Sequence, residues 1–222
     1  MPRTLILLGF CTAGKSTIID QLKSRYGNRV ETIDTDYEVS ADYDHHIYRI
    51  YLSLCKPNND RNDVLHFIET KEREILISLV ERCCKSTIPR VISAGPFTVS
   101  RQPQWSHFYG KVSPVCYYLK LTPEEVVEGL LKRRNSQKFD EVRDSPLFGS
   151  WDCCTITQFV NNRYEALPPE SAVSNVRKQM ELVILEYEKL SGTNVFRARD
   201  LETNEQLRKD FYNRIAIDLS LL

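Results

Sequence analysis

Thr4-Leu5-Ile6-Leu7-Leu8 is a short, almost wholly apolar run. Buried parallel strands read this way, because both of their faces are covered. A glycine-containing turn follows. Ser16 to Arg25 then carries Ile18, Ile19 and Leu22 at helical spacing, and Gly27 closes that helix. Val30-Glu31-Thr32-Ile33 predicts a second strand, with Asp34-Thr35-Asp36 at its end. Residues 37–62 are polar and rich in tyrosine, and Pro57-Asn58-Asn59-Asp60 marks a loop. From Val64 to Lys85 a largely apolar stripe through Leu65, Ile68, Ile75, Leu76, Leu79 and Val80 predicts a helix. Val91-Ile92-Ser93-Ala94 predicts the third strand, broken by Gly95-Pro96, and Val115 to Leu121 the fourth. The next helix announces its own start: Thr122 can cap, Pro123 suits the first helical position, and Glu125 completes a capping box. It runs to about Arg134. Residues 135–157 are polar, contain Pro146, Gly149 and Trp151, and have the character of a mobile lid. Helices follow at 158–166 and 171–190, separated by Pro168-Pro169. Asn194 to Ala198 predicts the fifth strand and Glu202 to Leu219 a terminal helix.

Strand and helix thus alternate along the chain. That order predicts an α/β fold: a parallel five-stranded sheet flanked by helices on both faces, with a lid and an extra C-terminal helical segment. The chain has 222 residues, the length of a single domain over 1–222. Lysine plus arginine and aspartate plus glutamate both number 30, so no net field gathers polyanions, and a dedicated nucleic-acid-coating role is disfavoured. The seven cysteines, with Cys83-Cys84 and Cys153-Cys154 adjacent, make neither a disulfide framework nor a CxxC metal knuckle. They read as reduced thiols of a cytoplasmic protein. No apolar run reaches the roughly 18–20 residues of a membrane span, and the N-terminus lacks the pattern of a signal peptide.

The chemistry is concentrated in Gly9-Phe10-Cys11-Thr12-Ala13-Gly14-Lys15-Ser16, which fits GxxxxGK[ST] at every required position. The two glycines let the backbone curl until successive N–H groups point at phosphate oxygens. The helix that follows, with Thr17 in its first turn, adds its positive dipole end. Lys15 can bridge the β- and γ-phosphates of ATP, and the Ser16 hydroxyl can ligate Mg²⁺. No Asn-Lys-x-Asp guanine reader is present, and Val91-Ile92-Ser93-Ala94-Gly95 closes without a Walker B acid, which argues against GTPases and motor ATPases. Small kinases remain, in which the acidic pair sits on the second strand. Here Asp34 and Asp36 alternate onto one side of the chain. One can hold Mg²⁺ through water, and the other can orient an acceptor hydroxyl and take its proton.

Gly9 to Ser16 followed by Ile33-Asp34-Thr35-Asp36 resembles shikimate kinases, and the resemblance covers roughly residues 4–165. It implies a P-loop kinase fold and an ATP-dependent phosphotransferase with an alcohol acceptor. It implies that Asp34 stands on the magnesium side and that Asp36 binds the acceptor hydroxyl as base. Arg143, in Arg143-Asp144-Ser145-Pro146-Leu147, resembles the lid arginine. Arg163 resembles the late arginine that clamps the acceptor's carboxylate, and Arg133 or Arg134 would stack on adenine. Gly95 falls in the family's glycine segment, which faces the acceptor, and residues 37–62 fall where an acceptor-binding cap is expected.

Two departures bear on the acceptor. Where the family has arginine after a phenylalanine, Phe67 is followed here by Ile68. Next to Gly95, Pro96 has no N–H to offer and Phe97 adds a ring. The expectation is therefore a small-molecule kinase whose acceptor need not be shikimate. The alternatives are a nucleoside or nucleotide kinase, or a nucleotide-binding regulator without transfer activity.

Overall fold

The structure is a computed structural model that describes residues 3–10, 12–34, 74, 77–94, 103–134 and 169–221. Five strands form one parallel sheet: β1 (Thr4–Leu8), β2 (Glu31–Asp34), β3 (Arg90–Ala94), β4 (Val115–Lys120) and β5 (Val195–Arg197). Their order is β2-β3-β1-β4-β5. β1 lies in the middle, with Thr4 opposite Arg90 through Leu8 opposite Ala94 on one side, and Leu5 opposite Val115 through Leu8 opposite Tyr118 on the other. Every residue of β1 and β3 is buried. Two-sided burial is why both read as runs without polar alternation.

The described helices are α1 (Lys15–Tyr26), α2 (77–85), α3 (Pro103–Val112), α4 (Pro123–Arg134), α5 (Pro169–Ser191), α6 (Ala198–Thr203) and α7 (Glu205–Asp218). Proline opens α3, α4 and α5, where its missing N–H costs nothing and its fixed φ suits the first turn. Gly27 ends α1 at φ 52°, a left-handed value that glycine adopts without a Cβ clash. The α4 capping box forms reciprocally. The Thr122 N–H donates to Glu125 Oε2 at 2.7 Å, and the Glu125 N–H donates to Thr122 Oγ1 at 3.2 Å.

The described chain falls into two compact units, residues 1–121 with 185–222, and residues 122–184. The first contains the sheet. Tyr117 and Tyr118 are neighbours on β4 and so point to opposite faces. Tyr117 meets Phe211 of α7 at a ring-centroid distance of 5.7 Å, and its hydroxyl donates to Asp218 at 2.7 Å. Tyr118 meets Tyr187, near the C-terminal end of α5, at 5.1 Å. Helices therefore cover both faces, as the alternation predicts. Within the second unit, Arg177 of α5 pairs with Glu124 of α4 at 2.8 Å.

Two elements depart from the sequence reading. α3 was not expected. Trp105, Phe108, Tyr109 and Val112 carry its helical spacing, but the element is short and Gly110 interrupts the signal. The expected helix from Glu202 to Leu219 is two helices. Asn204 breaks it, and its side-chain oxygen accepts from the Leu207 N–H at 3.0 Å to cap α7. The expected helix from Val64 is described only at 74 and 77–85. The cap at 37–62, the lid at 135–157 and the helix at 158–166 lie outside the described residues.

Candidate phosphate-binding site

β1 ends at Leu8, and the chain turns at once into the glycine motif. A Cβ on Gly9 would stand 3.0 Å from the Leu119 carbonyl and 3.2 Å from Ala13 Cβ, so the loop's entry excludes a side chain by close approach. Gly14 has φ 78° with open space around its Cβ direction. Glycine is wanted there for its backbone conformation. The Ala13 N–H donates to Phe10 O at 3.2 Å, closing a turn over Phe10–Ala13. Gly14 O receives the first helical bond of α1, from the Ile18 N–H at 3.0 Å.

α1 begins without a side-chain cap, because Gly14 has no side chain, and its first turn carries no acid. The uncapped N–H groups and the dipole are thus left for an anion. Lys15 is 8% exposed, and its ammonium donates to Gly9 O at 2.8 Å and to Phe10 O at 3.1 Å. The cation sits at the loop it is expected to serve. Ser16 Oγ donates to Asp34 Oδ2 at 3.0 Å, joining the first turn of α1 to the C-terminal end of β2. This is a hydroxyl and a carboxylate, two hard oxygen donors of the kind that hold Mg²⁺ directly or through water. Asp34 pairs in register with Ser93, at the strand ends where ligands of α/β sheets bind. Thr17 is exposed on the first turn.

Phe10 is 5% exposed and its ring meets Tyr187 edge-on at 6.1 Å. Tyr187 in turn packs on Tyr118, so the loop is anchored to the core by an aromatic series. Sequence reading missed this anchor. Tyr187 is far from the loop along the chain, and no local pattern links them.

The structure therefore brings together Gly9, Phe10, Thr12, Ala13, Gly14, Lys15, Ser16, Thr17 and Asp34. Cys11, Asp36, Gly95, Phe97, Arg143 and Arg163 lie outside the described residues. Arg134 is the last residue of α4, and its side chain lies outside them too.

A second charged group gathers at the opposite end of the sheet. A cavity of 410 Å³ is lined by Glu31, Ser78, Glu81, Arg82, Lys85, Ser86 and Arg90. Its charges compensate one another: Glu31 accepts from Arg90 Nε and, at 2.9 Å, from Arg82, and Lys85 pairs with Glu81 at 3.3 Å. That pattern is a structural ion-pair network. Among the described residues no group of three or more His, Cys, Asp or Glu could hold a metal ion, and no helix is long and apolar enough to cross a membrane.

No protein-family model matches the sequence, and no curated protein matches it. Solved structures match the fold. The chain is similar to the shikimate kinase from Bacteroides thetaiotaomicron, with a TM-score of 0.60 and 14% identity over 99% of this chain and 99% of that one. It is also similar to the shikimate kinase from Acinetobacter baumannii in complex with shikimate, with a TM-score of 0.52 and 17% identity over 96% of this chain and 94% of that one. At such identities the likeness concerns the fold: a P-loop kinase architecture with shikimate-kinase-like neighbours.

Proposed function

We propose that the chain is an ATP-dependent phosphotransferase that moves the γ-phosphoryl group of ATP to a hydroxyl of a small molecule. The observation that carries this reading is the meeting of Ser16 with Asp34 at 3.0 Å beside the Lys15 loop. A phosphate loop alone fits many nucleotide hydrolases. A carboxylate from the end of the second strand, joined to the loop's serine, fits a small kinase in which these two side chains would hold the nucleotide's metal ion.

In this reading the loop from Gly9 to Thr17 holds the phosphates, and Lys15 follows the charge that develops on the transferred group. Ser16 and Asp34 would hold Mg²⁺, which would supply charge neutralisation at the phosphates. Asp36 binds the acceptor hydroxyl and takes its proton as the acceptor oxygen bonds to the γ-phosphorus and the bond to the ADP oxygen breaks. Arg143 neutralises phosphate charge from the lid, and Arg134 stacks on adenine. Gly95, Phe97 and Arg163 face the acceptor. Phe97 and the missing arginine after Phe67 favour an acceptor other than shikimate.

The test is ADP release from MgATP with no acceptor, with shikimate, and with a panel of sugars, nucleosides and nucleoside monophosphates. One acceptor class should stimulate release, and Lys15→Ala should abolish it. Asp36→Asn should lose transfer while still binding ATP. Asp34→Asn should lower transfer by about 10–100-fold and raise the Mg²⁺ requirement. Full transfer in Asp36→Asn would overturn the assigned base. MgATP binding with no turnover on any acceptor would favour a regulator over a kinase.

A further inference from the structure

We propose that Tyr187 is a positioning residue for the nucleotide site: through the Phe10 ring it fixes the Phe10 carbonyl, and through that carbonyl the place of the Lys15 ammonium. This rests on the phosphate-loop reading and deepens it. The GxxxxGK[ST] pattern specifies neither Phe10 nor Tyr187, and Tyr187 lies beyond the stretch 4–165 that the resemblance covers.

The contacts run in series, all within the unit that holds the sheet. Phe10 is buried, although it stands in a turn just after a strand, where side chains ordinarily meet water. Its ring meets Tyr187 at a centroid distance of 6.1 Å and an interplanar angle of 65°, an edge-to-face arrangement. Tyr187 is fully buried and backed by Tyr118 of β4 at 5.1 Å, so close packing leaves it no room to give way. The Phe10 carbonyl accepts from Lys15 Nζ at 3.1 Å and from the Ala13 N–H at 3.2 Å.

A peptide carbonyl has two lone pairs, and here one holds the turn and the other holds the cation. The ring and this carbonyl branch from one Cα, so a ring that shifts carries the carbonyl with it. Gly9 O, which accepts from Lys15 at 2.8 Å, belongs to the peptide group that ends at the Phe10 nitrogen. Both acceptors of the ammonium therefore move with Phe10. Loss of the Tyr187 ring would leave a space into which Phe10 can turn. The ammonium has to stand where phosphate charge develops, and displacing such a group by about 1 Å costs up to about 100-fold. A tyrosine that served packing alone would be felt in the melting temperature and not at the nucleotide.

The experiment titrates the whole chain with a fluorescent ATP analogue and Mg²⁺, well below the melting temperature of every variant, which is recorded alongside. Tyr187→Leu removes the ring, Tyr187→Phe keeps it, and Phe10→Leu removes the other half of the pair. Phe211→Leu is the packing control, because that buried ring meets Tyr117 on the opposite face of the sheet. All three leucine variants should melt lower than the native chain. Tyr187→Leu and Phe10→Leu should each weaken MgATP binding by about tenfold, the scale of one hydrogen bond to a charged group. Tyr187→Phe and Phe211→Leu should bind within about twofold of the native chain. Because Tyr187 acts through Phe10, the chain carrying both Phe10→Leu and Tyr187→Leu should also lose about tenfold, and a loss of about 100-fold would overturn the inference. If MgATP binds the native chain and not Lys15→Ala, while Tyr187→Leu binds no more weakly than Phe211→Leu, the phosphate-loop reading stands and this inference is overturned. If Tyr187→Leu does not fold, Phe10→Leu against Phe211→Leu decides in the same way. If the native chain binds no MgATP, or Lys15→Ala binds it equally, both readings fall.

Discussion

Arg90 places a guanidinium at the foot of the sheet with only 2% of its surface exposed. Such a charge is tolerable only with a partner. Glu31 is that partner, and it also receives Arg82 at 2.9 Å. Burial by itself pushes the Glu31 carboxyl up, but the hydrogen bonds and charges of Arg90 and Arg82 outweigh it and hold it below its ordinary value of 4.5. A carboxyl depressed by folding contributes stability above its unfolded pKa and loses it as pH falls through the folded one. Glu31→Gln should therefore cost about 2 kcal/mol at neutral pH, toward the low side for a broken buried pair because Glu31 keeps some solvent contact. Urea unfolding measures this. The gap between native chain and variant should narrow as pH drops below 4.5. A gap that is constant from pH 7 to pH 3 would refute the pairing. None of this was legible in the sequence, because Glu31 and Arg90 begin strands that only the sheet brings side by side. Lys15, Ser16 and Asp34 were legible, because a phosphate loop is a local motif whose neighbours in space are largely its neighbours in sequence.

Elements announced themselves wherever their ends carried specific chemistry. Thr122-Pro123-Glu124-Glu125 predicted the start of α4 to the residue, since a capping box is written in four adjacent positions. Thr122→Ala should destabilise the 122–184 unit by about 1 kcal/mol. The Glu125 amide should then exchange faster, whereas Thr122→Ser should restore protection. Unchanged exchange at Glu125 in Thr122→Ala would refute the cap. α3 stayed hidden because Phe108, which is fully buried, gives it an anchor that periodicity over ten residues with an internal glycine does not reveal. The break at Asn204 was hidden for a different reason. Asparagine mid-run reads as a weak helix residue, and only its bond to the Leu207 N–H makes it a boundary.

Across the molecule, burial sorts the thiols. Among the described residues Cys83, Cys84 and Cys116 are free, and only Cys84 is exposed. Burial pushes the Cys116 thiol up to about 12, and burial also raises Cys83. At pH 8 a thiol reagent should therefore modify Cys84 in the native chain, while Cys83 and Cys116 react only once denaturant opens the sheet. Peptide mass mapping distinguishes them, and Cys116 labelled as fast as Cys84 would contradict the packing of β4. The alternation of strands and helices predicted a parallel sheet but not its order, because nothing local says that β3 inserts between β1 and β2. That insertion bears on how the chain acquires its fold. β1 leaves the ribosome well before both of its partners, which begin at Arg90 and Val115. Until then Thr4–Leu8 is an apolar strand with two bare edges, the kind of segment that templates aggregation. Closing such long loops before any pairing is rewarded makes assembly slow. The strand that carries the phosphate loop is thus the one that most needs shielding during synthesis.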